Sequence, residues 1–148
     1  MEKEPELAVF EEQDQTRAVF RRAMGERLLQ YHRWSTGGEL RELFASLRGQ
    51  SGRLLGGLMG LTHGKWLYVE FVWVDESVRG RGYGRRLLVA AEREAIGRGC
   101  GRANLDTATS PADGFFRRCG YSVCGELRDY LPGQHRYWMY KTLIGEPQ

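Results

Sequence analysis

An α/β domain built on one central sheet is predicted by three features of the sequence. Three strand-like runs, "ELFASLRG", "GRLLGGLMGLT" and "KWLYVEFVWV", follow one another across short glycine-containing turns. A glycine- and arginine-rich stretch, "VRGRGYGRRLL" (residues 78–88), then passes abruptly into helical spacing. Beyond it a strand, a short helix and two further strands alternate.

The elements follow in order. Residues 7–10 are expected as a short first strand. Residues 16–34 are expected as a helix, with Val19, Phe20, Met24, Leu28, Leu29 and Tyr31 at roughly helical spacing and Gly37-Gly38 as its stop. The three runs after it, divided by residues 49–52 and by His63-Gly64, form an antiparallel meander. In the third, unbroken alternation places Leu67, Val69, Phe71 and Trp73 on one face and Tyr68, Glu70, Val72 and Val74 on the other. After the glycine loop, Leu87, Leu88, Ala91 and Ala95 form the apolar stripe of a helix that leaves Arg85, Glu92 and Arg93 to solvent and stops at Gly97 and Gly99. "CGRANLDT" reads as a buried strand ending at Asp106. In "SPADGFFRRCGY", Ser110 takes the N-cap, Pro111 the first helical position and Asp113 the capping-box place, and Gly120 ends the helix. "YSVCGELRDY" and "HRYWMYKTL" close the sheet as two strands around a Pro132-Gly133 turn.

A chain of 148 residues that is 41% hydrophobic and 28% charged supplies one compact core, and without a repeat or linker it is expected to form a single domain over residues 1–148. Its opening "MEKEPELAVFEEQDQ" is acidic where a secretory signal is basic and then apolar, and no later apolar run has bilayer length. A cytoplasmic protein without membrane contact is therefore expected. Cys100, Cys119 and Cys124 have no metal-type spacing and read as small buried or half-buried residues of a reducing compartment. His32, His63 and His135 form no metal or triad pattern either, and no metal is expected.

The net charge of +3 does not by itself announce a nucleic-acid binder, so the placement of charge matters more than its sum. Arg79, Arg81, Arg85 and Arg86 crowd the glycine stretch, and Arg117 and Arg118 form a second pair that also reads as a solvated face. The glycine stretch joins the end of a strand to the start of a helix, where free N–H groups and the helix dipole together favour an anion. Alternate glycines let such a ligand approach the backbone. No Gly-Lys-Ser or Gly-Lys-Thr follows, which excludes a Walker loop, and Arg85 stands where the Rossmann fingerprint has its third glycine, although Asp106 ends a strand downstream. Taken alone, the stretch also reads as a flexible solvated turn.

The order of elements around it is more specific. A meander, then Arg79-x-x-Gly82-x-Gly84 opening a helix, then a strand, then Ala112-x-x-Phe115-Phe116-x-x-x-Gly120-Tyr121, resembles the GNAT family of acetyl-CoA-dependent N-acetyltransferases. The resemblance spans residues 7–143, and "WVDESVRGRGYGRRLL", "LDT" and "RDYLPGQHRY" are similar to a subgroup of small bacterial members. It implies a mixed central sheet in which the meander meets a pair of splayed parallel strands, flanked by helices. It also implies a coenzyme A pyrophosphate on the main chain of Arg79, Gly80, Arg81, Gly82, Tyr83, Gly84 and Arg85, with the pantetheine arm between strands 65–74 and 102–106. Main-chain groups of Trp73 and Val74 would pair with that arm or polarise the thioester carbonyl. Thr109 stands where the family often has an asparagine that touches the arm, and Phe116 where it usually has the tyrosine that protonates the departing thiolate. Tyr130 and Tyr137 of the last hairpin are the available replacements, with Tyr130 the candidate acid.

The activity implied is transfer of acetyl from acetyl-CoA, as co-substrate, to a primary amine of a small molecule by direct attack, since no cysteine occupies a motif position. An amine of pKa near ~10 is about one part in a thousand unprotonated at pH 7, so a base or desolvation must meet about 4 kcal/mol. Glu70, mid-strand among apolar neighbours, is the first candidate base and reads equally as a structural carboxylate paired with an arginine; Asp106 is the second. The acceptor would be shaped by Tyr31, His32 and Trp34 and by the hairpin from Asp129 through Tyr137, where aromatic rings near Glu126 and Asp129 suit a cation. A protein lysine or amino-terminal acetyltransferase, and a non-catalytic acyl-CoA sensor favoured by Phe116, are the alternatives. A nucleic-acid module would use the arginines on phosphates without needing alternate glycines. Neither nucleic acid nor a membrane is an expected partner, and a homodimer is the one assembly considered.

Overall fold

The structure, a computed structural model, describes residues 5, 14–36, 39–108 and 112–144, and of the first helix the side chains of residues 18–28 and 30 only. That helix, α1 (Asp14–Thr36), extends the sequence expectation by two residues at each end and belongs to a unit of its own, residues 1–37. The strand expected at residues 7–10, Gly37-Gly38, and the Ser110 and Pro111 caps lie outside the described residues. Among the described residues no helix is long and apolar enough to cross a membrane.

The second unit, residues 38–148, carries a six-stranded sheet. Its strands are β1 (Arg41–Arg48), β2 (Leu54–His63), β3 (Trp66–Val74), β4 (Arg102–Ala108), β5 (Ser122–Leu131) and β6 (Gln134–Thr142), in the spatial order β1-β2-β3-β4-β6-β5. Every neighbouring pair is antiparallel except β3 and β4. Helix α2 (Tyr83–Gly97) makes the crossover that a parallel pair requires, and α3 (Ala112–Arg118) links β4 to the final hairpin, which turns at Pro132-Gly133 as expected. The mixed sheet flanked by helices is the predicted class.

Helix α2 packs on the meander. Leu87, Leu88, Ala91 and Ala95 meet Leu43, Leu58, Leu67 and Val69, all buried, and full burial of a side chain such as Leu88 is worth about 1.5–3 kcal/mol. The stripe is wider than the sequence suggests, because Glu92 is buried on it rather than left to solvent. Lys141 of β6 makes this tolerable by donating to both carboxylate oxygens, at 3.0 and 2.9 Å. The far end of α2 closes with Cys100 N–H on Ala95 C=O at 2.9 Å, and Arg98 reaches from there to the Glu42 carbonyl at 2.9 Å and the buried Thr62 hydroxyl at 3.2 Å. Cys100 and Cys119 are buried, whereas Cys124 is exposed.

The alternation expected along β3 breaks at Glu70. Met59 pairs with Phe71 and Gly60 with Val69, so Glu70 is an extra residue with no partner on β2. The bulge swaps the faces of everything beyond it: Val72 and Val74 pack against the core with Leu67 and Val69, while Phe71 (67% exposed) and Trp73 (45% exposed) join Tyr68 on the opposite face. Gly60 accommodates the distortion, since a Cβ there would stand 2.7 Å from the Tyr68 carbonyl oxygen.

Candidate active site

β3 and β4 pair only through Trp66/Arg102, Leu67/Ala103 and Tyr68/Asn104. Past that third rung, two residues before the bulge, they part and leave a fork between them. Asp75 N–H donates back to Leu55 C=O on the β2 side at 2.7 Å, so alternation turns the main-chain groups of Val74 the other way, into the fork. There the Val74 carbonyl accepts from Arg79 Nε at 2.8 Å. Trp73 turns its carbonyl toward Gly56 of β2 and its side chain to the opposite face, so of the two expected main-chain partners only Val74 opens on the fork.

A cleft of about 600 Å³ lies where the fork meets α2 and α3. β3 contributes Val72 and Val74; the loop and first turn contribute Arg79, Gly80, Gly82, Tyr83, Gly84 and Arg85; α3 contributes Phe115, Phe116 and Arg118, followed by Cys119. The loop begins with a single 3-10 turn, Glu76–Val78, capped by Asp75, whose carboxylate accepts from Ser77 N–H at 3.0 Å and is held below its usual range by the Ser77 bonds. Gly82 caps α2 with φ 82°, a conformation that disfavours a side chain, and a Cβ there would meet nothing within 4 Å. The first helical bond runs from Arg86 N–H to Gly82 C=O at 3.1 Å, which leaves the N–H groups of Tyr83, Gly84 and Arg85 without intrahelical acceptors. Three such donors at the positive end of a 15-residue helix form a site for an anion, with Arg79, Arg85 and Arg118 lining the same cleft.

Of the residues expected on the cofactor side, the structure brings together Val74, Arg79, Gly80, Gly82, Tyr83, Gly84, Arg85 and Phe116; Trp73 and Arg81 stand outside the cleft, and Thr109 lies outside the described residues. Phe116 has a packing role as well. Gly120 (φ 93°) ends α3 with Tyr121 N–H bonded to Phe116 C=O at 3.0 Å, and the two rings at either side of that turn meet edge to face at 6.0 Å.

The opposite face of the fork carries a second cluster. The Tyr68 hydroxyl donates to Asp106 Oδ1 at 2.6 Å, and Arg136 Nε donates to Oδ2 at 2.7 Å with Nη2 on the same oxygen. Asp106, expected as an acceptor contact or second base, is thus already occupied on both oxygens. The Arg136 guanidinium lies 5.0 Å from the Tyr130 ring centre, and the Tyr68 ring stacks on Trp138 at 6.3 Å. Burial first, then Asp106 and the Glu70 carboxylate, push the Tyr68 phenol up to about 12. Glu70 itself is exposed on the bulge rather than set among apolar neighbours.

Tyr130, the candidate acid, is half exposed beneath Arg136. Asp129 takes a left-handed backbone (φ 49°), with its N–H on His135 Nδ1 at 3.2 Å. Tyr137 falls on the other side of β6, packed against the core with Arg117 5.8 Å over its ring, and so is separated from Tyr130 and Asp129 by the sheet. Tyr31, His32 and Trp34 fall on α1 outside the described side chains. Tyr68, Phe115 and Arg118 were not expected in the site, and Arg136 was covered only as part of the last hairpin. The alternation of β6 gave a usable signal for Arg136, which shares a face with Trp138.

A model of the acetyltransferase (GNAT) family matches residues 6–121. The chain belongs to the GNAT acetyltransferase family. Among GNAT relatives, a blasticidin-S acetyltransferase of Streptomyces morookaense is 38% identical over 96 residues, covering 64% of this chain and 71% of its own. The crystal structure of an acetyltransferase from Agrobacterium tumefaciens is 32% identical with a TM-score of 0.82, covering 93% of this chain and 99% of that one. An aminoglycoside 6'-N-acetyltransferase solved with coenzyme A, 20% identical, shares the fold at a TM-score of 0.66 over 72% of this chain and 76% of its own. The GNAT assignment accounts for the fork, the glycine loop and the helix start occurring together.

Proposed function

We propose that this GNAT domain transfers the acetyl group of acetyl-CoA to a primary amine on a small molecule by direct attack. One observation carries the reading: the cleft runs from the free N–H groups of α2 to the fork side of β3, at Val72 and Val74. A diphosphate fits its first part, where the open space over Gly82 is what a Cβ would fill. The Val74 main chain, on releasing Arg79, can bond an amide of the arm.

The amine attacks the carbonyl carbon, the C–S bond breaks, and the thiolate takes a proton. Direct attack is supported by Cys119, which lines the cleft but whose thiol is pushed up by burial and so is a poor nucleophile at neutral pH. Glu70, projecting from the bulge beside the fork, takes the ammonium proton. Phe116 offers no acid, but a thiol of pKa near ~8.5 leaves with little help, and water or Tyr130 suffices. Phe71, Trp73, Tyr68 and Trp138 on the face opposite the core suit a cationic acceptor, and the relative named for blasticidin S supports a small molecule over a protein.

A panel of small amines and peptides with acetyl-CoA, followed by free-thiol release, tests this. Release with small amines supports it, and release confined to peptides transfers the assignment to protein acetylation. Acetyl-CoA binding without release on any amine makes the protein a sensor, the reading that Phe116 favours.

A further inference from the structure

The strut across the fork has a use beyond holding the sheet together. Backbone pairing between β3 and β4 stops at Tyr68/Asn104, yet the Tyr68 side chain crosses the gap one step further on, reaching Asp106 two residues beyond the last rung. Arg136 completes the tie from β6, so three strands are joined at the crotch of the fork. The ring cannot swing aside easily, because it stacks on Trp138 while its hydroxyl is bonded.

The cleft enters the fork from its open end. Val74 lies nearest the glycine loop, and the path from Val74 along β3 toward Tyr68 passes Val72 and the bulge at Glu70 before it meets the strut. Any extended arm anchored at the α2 N-terminus and laid along β3 therefore has its free end pointing at Tyr68. Resting on the proposed use of acetyl-CoA, we infer that Tyr68, fixed by Asp106 and Arg136, is the stop that limits the length of the acyl group the fork accepts, making the protein selective for acetyl over longer chains. The stop is steric: the fork narrows to the backbone rung at Tyr68/Asn104, and the tethered ring blocks the adjacent exit to the opposite face. A packed wall distinguishes one methylene by roughly 10-fold or more.

Binding of CoA, acetyl-CoA and butyryl-CoA, measured by calorimetry with no acceptor present, tests this on the intact chain. The native protein should bind acetyl-CoA at least about 10-fold more tightly than butyryl-CoA. Tyr68→Ala should abolish that ratio while leaving the affinity for CoA itself within about 3-fold, and Tyr68→Phe, which keeps the ring but frees it from Asp106, should fall between. Retained CoA binding shows that a variant is folded. Equal native affinity for the two acyl forms, or a ratio unmoved in both variants, overturns the inference and leaves acetyl transfer standing. Native protein that binds none of the three overturns both.

Discussion

Gly84 touches the Phe115 ring: a Cβ on this glycine would stand 3.2 Å from Cζ and 3.3 Å from Cε2. The first turn of α2 is thereby seated directly on α3, and the glycine serves packing rather than backbone freedom. Gly82, two residues earlier, is the reverse case, with a left-handed φ and open space around it. The two glycines of one motif consequently fail differently. Gly82→Ala should cost about 1–2 kcal/mol of backbone strain in urea unfolding and put a Cβ in the space proposed for the diphosphate, without moving either helix. Gly84→Val should push α2 from α3 and change the cleft itself, seen as loss of ligand binding beyond any change in stability.

Acetyl-CoA at about a hundred times its dissociation constant should stabilise the native fold by about 2.7 kcal/mol. NAD and ATP at equal concentration should do less, because only part of each reaches the fork. Thermal scans check the order, and Gly84→Val should remove the acetyl-CoA effect. A larger shift with NAD would sink the proposed donor.

Glu70→Gln keeps the shape of the bulge residue and removes its base. Turnover near neutrality should drop about 10²-fold and recover in part as pH approaches the amine pKa, where solvent supplies free amine. An unchanged pH–rate profile would return Glu70 to a structural role.

Lys141 is the main compensation for the buried Glu92 carboxylate. Lys141→Met should destabilise by about 3 kcal/mol, the low end for breaking a buried pair because the lysine is partly exposed. Adding Glu92→Leu should restore most of the loss, since the uncompensated charge is then gone. Urea midpoints of the single and double variants measure both.

The Tyr68 phenol gives stability an alkaline limit. With a folded value of about 12 against about 10 when unfolded, both states hold the proton below pH 10 and stability is flat. Between about pH 10 and 12 the unfolded chain gives up a proton that the folded one keeps, so stability falls. Tyr121, raised by burial, acts in the same direction. Tyr68→Phe should therefore shallow the alkaline decline without removing it, as followed by circular dichroism.

The parts of this molecule readable from its sequence are those governed by near neighbours. The glycine loop, the stripe Leu87–Leu88–Ala91–Ala95 and the Pro132-Gly133 turn are local patterns, and each stands where its residues put it. Strict alternation assumes no insertion and so puts Phe71 and Trp73 on the wrong face, and the bulge at Glu70 is marked only by Gly60 on the partner strand. Asp106 looked available because its partners, Tyr68 and Arg136, come from strands 38 and 30 residues away in sequence. Glu92 looked solvated because Lys141 lies 49 residues further on. Register between distant strands decides these contacts, and no short window contains it.

Helix α2 is fastened toward its far end, by Arg98 on the first two strands and by Glu92 on Lys141, whereas its near end rests on Phe115 and a glycine loop. Such an arrangement divides the helix into two regimes of opening. The far turns should exchange their amide hydrogens only when the whole unit comes apart, while the loop and first turn should open and reclose on their own at a much smaller cost. On the proposed use of acetyl-CoA, admission and release of the donor would then require no disturbance of the core. The segment expected to open is the one in which every second residue, Gly80, Gly82 and Gly84, lacks a side chain.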